Sequence, residues 1–308
     1  MPRLCYVSKN FSDEHWEVIE RTNMICQTYR AQGFNLTLRQ VYYQFVSRGW
    51  IPNSDRSYKR LGGIVNDGRL AGQIDWDFIQ DRTRNVRSLT TWDEPQNIVD
   101  AVARQFRREL WSRSGQQWRP EVWVEKDALI DIVTQAANTY GVPCFSCRGY
   151  VSQSEMWAAG RRMKEHSAEG FQPVVIHLGD HDPSGIDMTR DIEDRLEMFA
   201  EEAVEVRRIA LNMDQILQYE PPPNPAKLSD ARAAGYLERF GDESWELDAL
   251  EPSVLVELIR DEIGTLIEWD SWQEAAEADD LDRERLAKIA KRWPEVEALV
   301  DSEGGEDE

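Results

Sequence analysis

The chain has 308 residues, 41% of them hydrophobic and 30% charged, with four cysteines and a net charge of −21. That length exceeds one ordinary core and predicts two or more units; no apolar run approaches bilayer thickness and MPRLCYVSKN carries no secretory stretch, so a soluble, cytoplasmic protein is expected. The cysteines are too few and scattered for a disulfide framework, and Cys144 and Cys147, though spaced as CxxC, sit in a strand-like segment with no second pair to complete a zinc site.

The first segment, about residues 12–90, reads as helical over 13–32, 37–48 and 55–71. Thr37 is placed to cap the second helix, and Gly33 and Gly49 follow helix ends. Short helices followed by the basic stretch IDWDFIQDRTRNVR predict a winged helix-turn-helix within residues 1–95. This front is basic: residues 1–120 hold 18 Lys and Arg against 13 Asp and Glu, whereas the remainder holds 18 against 44. The split permits contact with DNA at one end and cation binding at the other. A bridging helix near 96–111 and a polar loop ending at 117 form the expected boundary. The pattern then changes to strands at 121–125, 142–147, 173–178 and 204–211, with helices at 127–140, 152–167 and 184–202, the βαβ alternation of a parallel sheet. A proline-rich loop and further helices, including 252–265, extend this segment to residue 265. Residues 266–308 read as an acidic helical tail whose end, DSEGGEDE, has the composition of a disordered segment. The fold class expected is α+β multidomain, with a helical front domain, a Rossmann-like α/β domain and a C-terminal helical extension.

In an open parallel sheet, ligands bind beyond the carboxyl ends of the strands. Glu125 ends the first strand, and Asp180 and Asp182 follow the third in HLGDHDPSG. Alternation points the two aspartates the same way and turns His181 aside. Three carboxylates there suit Mg²⁺, which takes a few acids and completes its shell with water and substrate phosphate. The alternative is that Asp180 and Asp182 are turn and N-cap residues and Glu125 a helix-dipole partner.

VEKDAL followed by GDHDPSGIDM resembles the Toprim domain of topoisomerases, primases and several nucleases. The closer resemblance is to the topoisomerase VI A subunit and the meiotic double-strand-break transesterase family, in a compact mini-A-like form, and it spans roughly residues 20–260. It implies a Toprim domain, Mg²⁺ on Glu125, Asp180 and Asp182, and a further acidic position near Asp187. The front half of that family carries an Arg-x-x-Tyr-Tyr pattern, matched by Arg39–Tyr43.

Helical periodicity separates the two tyrosines. Leu38, Val41, Tyr42, Phe45 and Val46 form one apolar stripe, so Tyr42 reads as core; Tyr43 points away from it, one turn from Arg39. Tyr43 is therefore expected to be an exposed phenol beside a cation, the candidate nucleophile, with Arg39 as its electrostatic helper. Arg56, Lys59, Arg60 and Arg69 on the next helix, with Arg82, Arg84 and Arg87 beyond it, are candidate phosphate contacts or simply a solvated face.

The resemblance implies double-stranded DNA as substrate, a 5′-phosphotyrosyl link through Tyr43, a homodimer in which the tyrosine of one subunit works with the metal site of the other, and a possible separate B-type ATPase subunit. Two other functions remain open at this stage: a Toprim-type hydrolytic nuclease of defence systems or mobile elements, and a DNA-binding module without catalysis. Primase activity is a lesser option, since the front half lacks a zinc-binding cysteine module.

Overall fold

The computed structural model describes residues 4–79, 89, 91–113, 115–226 and 232–303. The expected contacts Arg82, Arg84 and Arg87 and the last five residues lie outside that set.

Three helices open the chain: α1 (Asp13–Ala31), α2 (Leu38–Ser47) and α3 (Asp55–Leu70). Each begins where a hydroxyl side chain can take an orphan backbone N–H. Ser12 and Ser54 cap α1 and α3, and Thr37 caps α2 in a reciprocal box with Gln40. Gly33 and Gly49 take the positive φ values, 88° and 67°, that turn the chain out of α1 and α2. Beyond α3 the described residues show isolated bridges, Leu36 to Ile79 and Cys5 to Ala71.

The chain continues through α4 (Pro95–Gln105), β1 (Trp118–Val124), α5 (Ile130–Ala137), β2 (Cys144–Ser146), α6 (Gln153–Ala168), β3 (Gln172–Leu178), α7 (Pro183–Ala200) and β4 (Glu205–Ala210). After these come α8 (Met213–Tyr219), a short antiparallel pair of β5 (Asn224–Pro225) and β6 (Glu243–Ser244) flanking α9 (Ala233–Phe240), then α10 (Pro252–Thr265), α11 (Trp269–Lys291) and α12 (Trp293–Glu303). The last helix runs through Asp301–Glu303, so the stretch expected to be disordered begins as helix.

The fold is mixed α/β around a four-stranded parallel sheet of order β2-β1-β3-β4. Because parallel crossovers are right-handed, the step from β1 out to β2 puts α5 on one face, and the steps from β2 to β3 and β4 put α6 and α7 on the other. On that second face Trp123 and Val175 meet Met156 and Met163 of α6 and Met188, Ile192 and Leu196 of α7 in one buried cluster. Strand order reverses direction between β1 and β3, the switch point at which such sheets leave a crevice.

The chain divides into two units, Met1–Asn85 with Arg119–Thr265, and Val86–Trp118 with Leu266–Glu308. This differs from the expected succession of separate segments. The front helices share a unit with the sheet because α2 lies against the turn Leu247–Ala249, and because Glu251 accepts hydrogen bonds from Tyr29 and from Gln44 (3.0 Å). In the second unit α4 lies on α11, Arg108 pairs with Asp279 at 2.8 Å and with Asp282, and the Trp111 and Trp272 rings meet edge to face. No helix among the described residues is long and apolar enough to cross a membrane. All four cysteines are free thiols.

Candidate active site

Sheet order makes β1 and β3 neighbours, so the residues that follow them meet. The Asp180 backbone N–H donates to Glu125 Oε2 at 2.9 Å. Asp182 caps α7, its Oδ1 accepting the Gly185 N–H at 2.7 Å, while Asp180 Oδ1 accepts the Leu247 N–H at 2.7 Å and an ion pair from Lys126 at 2.9 Å. Each acid thus holds local structure with one oxygen, and the second oxygen of each accepts no hydrogen bond among the described residues.

The space around these acids is kept by glycine. A Cβ on Gly185 would stand 2.2 Å from the Asp180 carbonyl oxygen and 3.0 Å from Glu125 Oε2; one on Gly179 would also stand 3.0 Å from Glu125 Oε2. Glycine at both positions lets the loop close against Glu125 Oε2, and the second oxygens of the three acids, which accept no hydrogen bond among the described residues, form a donor set suited to a hard divalent cation. Among the described residues, no group of three or more His, Cys, Asp or Glu side chains forms a ready-made metal site. Burial pushes the carboxyls of Glu125 and Asp180 up from their ordinary range, well up for Asp180, where neighbouring Glu125, Glu246 and Asp248 oppose the relief from Lys126.

The loop bearing the aspartates is clamped from two sides. Arg208 of β4, half-buried, donates to the carbonyls of Gly179, Asp180, Gly185 and Leu211 and to Thr189 Oγ1, at 2.6 to 3.2 Å. Burial lowers its pKa to about 10 against the opposing pull of Glu125 and Asp180. His181 turns away from the acids, as alternation requires, and its ring meets Tyr236, Phe240 and Trp245. Its Nδ1 lies 2.8 Å from the Tyr236 hydroxyl, and its backbone exchanges two hydrogen bonds with Trp245. Asp187 joins a different cluster, accepting from Tyr150 at 2.6 Å and from Arg190 at 2.8 Å.

Neither family models nor curated proteins match this chain. The site is therefore read from its own geometry.

Tyr43 overturns one expectation. It is 3% exposed, no more open than Tyr42 at 4%. Periodicity assumed a helix with a solvent side, whereas α2 is covered by the other front helices on one side and by the Leu247–Ala249 turn on the other, burying Gln40 through Phe45 continuously. What distinguishes the two phenols is their company. Tyr42 donates to Asn53 Oδ1 at 2.8 Å and accepts from Ser54 N at 2.8 Å, a structural role. Tyr43 meets Arg39, whose Nη2 donates to its hydroxyl at 3.4 Å. Burial, then Glu246 and Asp248, push the Tyr43 phenol up to about 12 despite Arg39.

Arg39 is committed elsewhere as well. It pairs with Glu246 at 2.8 Å and, through Nε, with Asp248 at 3.1 Å; burial opposes its charge, but Asp248 and Glu246 prevail and raise its pKa. Lys126 pairs with the same two acids, at 2.9 Å to Asp248, and with Asp180. Burial disfavours its charge, and the three carboxylates outweigh that and hold its pKa well above the ordinary value. Sequence reasoning missed Lys126, Arg208, Glu246 and Asp248. The first was legible as the residue after Glu125; the others lie far along the chain with no motif to mark them.

A pocket of about 430 Å³ opens beside these groups, lined by Arg39, Tyr43, Tyr58, Asp182, Asn224 and Glu246 among others. Of the expected DNA contacts, Arg56 and Lys59 are exposed and carry no ion pair among the described residues, and Arg60 pairs with exposed Glu14. Arg69 is a correction: its guanidinium turns inward, donating to the carbonyls of Trp76 and Ile79 and lying over the Trp76 ring. A cation in the last turn of α3 reaches the carbonyls of the following turn more readily than a phosphate outside.

Proposed function

We propose that this chain is a Mg²⁺-dependent transesterase that breaks double-stranded DNA, with a Toprim-like sheet and a winged-helix-like front, of the topoisomerase VI A-subunit type and acting as a homodimer. One observation carries the reading: Tyr43 with its Arg39, and Asp182 at the β1/β3 switch point, line a single pocket. A phenol beside a guanidinium, sharing a pocket with an aspartate that keeps a free oxygen, is the combination phosphoryl transfer to tyrosine requires.

Glu125, Asp180 and Asp182 would hold the Mg²⁺, which when bound supplies charge neutralisation and orientation for the phosphate. Tyr43 Oη attacks phosphorus. The bond to the 3′ oxygen breaks, the phenolic proton passes on balance to that oxygen, and the 5′ phosphate stays on the tyrosine, so the exchange of one ester for another is reversible. Arg39 offsets negative charge on the entering oxygen. Exposed Arg56 and Lys59 contact the duplex backbone. Strand passage, if it occurs, would fall to a separate ATPase subunit.

The test is incubation with supercoiled plasmid and Mg²⁺, then denaturation and protease treatment. Protein-linked linear DNA that disappears with Tyr43→Phe supports the proposal; cleavage surviving that substitution sinks it. The second reading, a hydrolytic nuclease in which water attacks and Tyr43 only contacts DNA, is favoured by the phenol being pushed up to about 12. It predicts free linear ends from both proteins.

A further inference from the structure

We infer that the helical pair closing the chain, α11 with α12, is an interface between two copies of this protein, paired antiparallel about a two-fold axis. The transesterase reading calls for two copies but names no surface on which they meet, and this inference goes beyond it without using its chemistry.

Helix energetics single out α12. It has eleven residues, and helices shorter than about 12–15 residues are marginal in water unless tertiary packing holds them. Among its described side chains, 293 to 301, none is buried, and Leu299 and Val300 stand 59% and 62% exposed. A helix this short and this open lacks the packing that would keep it formed.

The end of α11 carries the same kind of surface. Leu281 and Ile289 are exposed there, and Arg292 alone separates the two helices. Lys288, Ile289, Arg292, Glu295, Val296 and Leu299 line one groove of about 390 Å³. They recur every three or four residues, so a single face with apolar residues between charges runs through the junction. Such a face fits another amphipathic helix.

Charge selects the occupant. Lys288 and Lys291 lie before the junction, and Glu297 and Asp301 lie after it. Arg292 and Glu295 already pair within the chain, Nε to Oε2 at 2.8 Å. A parallel copy in register would set like charges side by side. An antiparallel copy, turned about an axis near residue 294, lays Ile289 of each chain toward Leu299 of the other and the cationic arm of each along the acidic arm of the other. Every contact then occurs twice, as two-fold symmetry requires. With a net charge of −21 the chain as a whole repels its own copy, whereas this face is its own complement.

Light scattering on the full chain across a dilution series tests the interface. The wild type should dimerise, and Ile289→Asp and Leu299→Asp should each weaken the dimer by about tenfold or more, because each places an unpaired carboxylate in the interface twice. Met198→Asp, at an equally exposed apolar position on α7, should leave the dimer unchanged. Wild type that stays monomeric, a dimer indifferent to both α11 and α12 substitutions, or one that Met198→Asp weakens equally overturns the inference. Hydrogen exchange on the wild type gives a second reading that needs no variant. Amides between 289 and 300 should be protected in the dimer and lose protection on dilution to monomer; protection independent of concentration means that the chain covers this face itself, and also overturns the inference. Neither measurement uses cleavage. A dimer of this kind that forms no covalent adduct with DNA leaves the interface standing and refutes the transesterase reading, while adducts from a protein without this interface do the reverse.

Discussion

Arg208 Nη2 donates a 2.6 Å hydrogen bond to the carbonyl of Asp180, and the same guanidinium reaches the carbonyls of Gly179, Gly185 and Leu211. A guanidinium spreads five donors over a planar fork and can reach acceptors this far apart, whereas an ammonium offers three donors from a single point. Arg208→Lys should therefore keep the charge yet lose about 2–4 kcal/mol of stability, since buried carbonyls are left unpaired at about 1–3 kcal/mol each and part of this is recovered by relaxation. Chemical denaturation would measure it. A variant as stable as wild type would show that the clamp is not needed.

Glu125 and Asp180 are carboxyls raised by burial, and a cation must displace their protons to bind. Mg²⁺ should raise the melting temperature of the wild type, more strongly at pH 8 than at pH 5.5, and EDTA should reverse the shift. Asp180→Ala should abolish it. At a concentration 100 times Kd the expected gain is about 2.7 kcal/mol.

His181 titrates at about 4 in the folded protein, lowered by burial and then by Arg208, whereas an unfolded histidine titrates near 6.5. Between those values the unfolded chain holds a proton that the folded chain lacks, so this group removes stability as pH falls through the window, by up to about 1.4 kcal/mol per pH unit. Burial of Glu125 and Asp180 acts in the opposite sense, so the effect is read as a difference. Unfolding free energy of His181→Asn should depend less steeply on pH between 6.5 and 4 than that of the wild type. Parallel slopes would show that His181 is not held neutral.

Basic residues of α3 should divide by orientation. Arg56→Ala and Lys59→Ala should weaken DNA binding across sequences and each reduce the salt dependence of log K by about 0.9. Arg69→Ala should leave that slope unchanged and lower stability by about 1–3 kcal/mol, because the carbonyls of Trp76 and Ile79 lose their donor. Fluorescence anisotropy across a salt series, with thermal melts, separates the two classes.

Much of the fold was legible because its signals are local. Thr37 with Gln40, Gly33, Gly49 and the alternation around β1 and β3 act within a few residues, and the helices and strands begin and end close to where those signals put them. The two stretches holding the acids were legible for the same reason. The setting of Tyr43 was not: periodicity records which side of α2 is greasier, and cannot record that residues 246–248, two hundred positions later, cover the other side with acids. Arg69 failed for a related reason, since an arginine on an otherwise polar helix face can bend back to its own chain without leaving a trace in the pattern.

The burial of α2 on both sides decides how the protein can be taken apart. A fragment ending near residue 85 would present Gln40, Tyr43 and Gln44 to water and strip Asp248 and Glu251 of their partners, so inactivity or insolubility of either half would say nothing about function. Chimeras face the same limit. The transferable piece is discontinuous, the front helices together with residues 223–251, and a swap that respects only the linear order of segments would cut through the site it sets out to move.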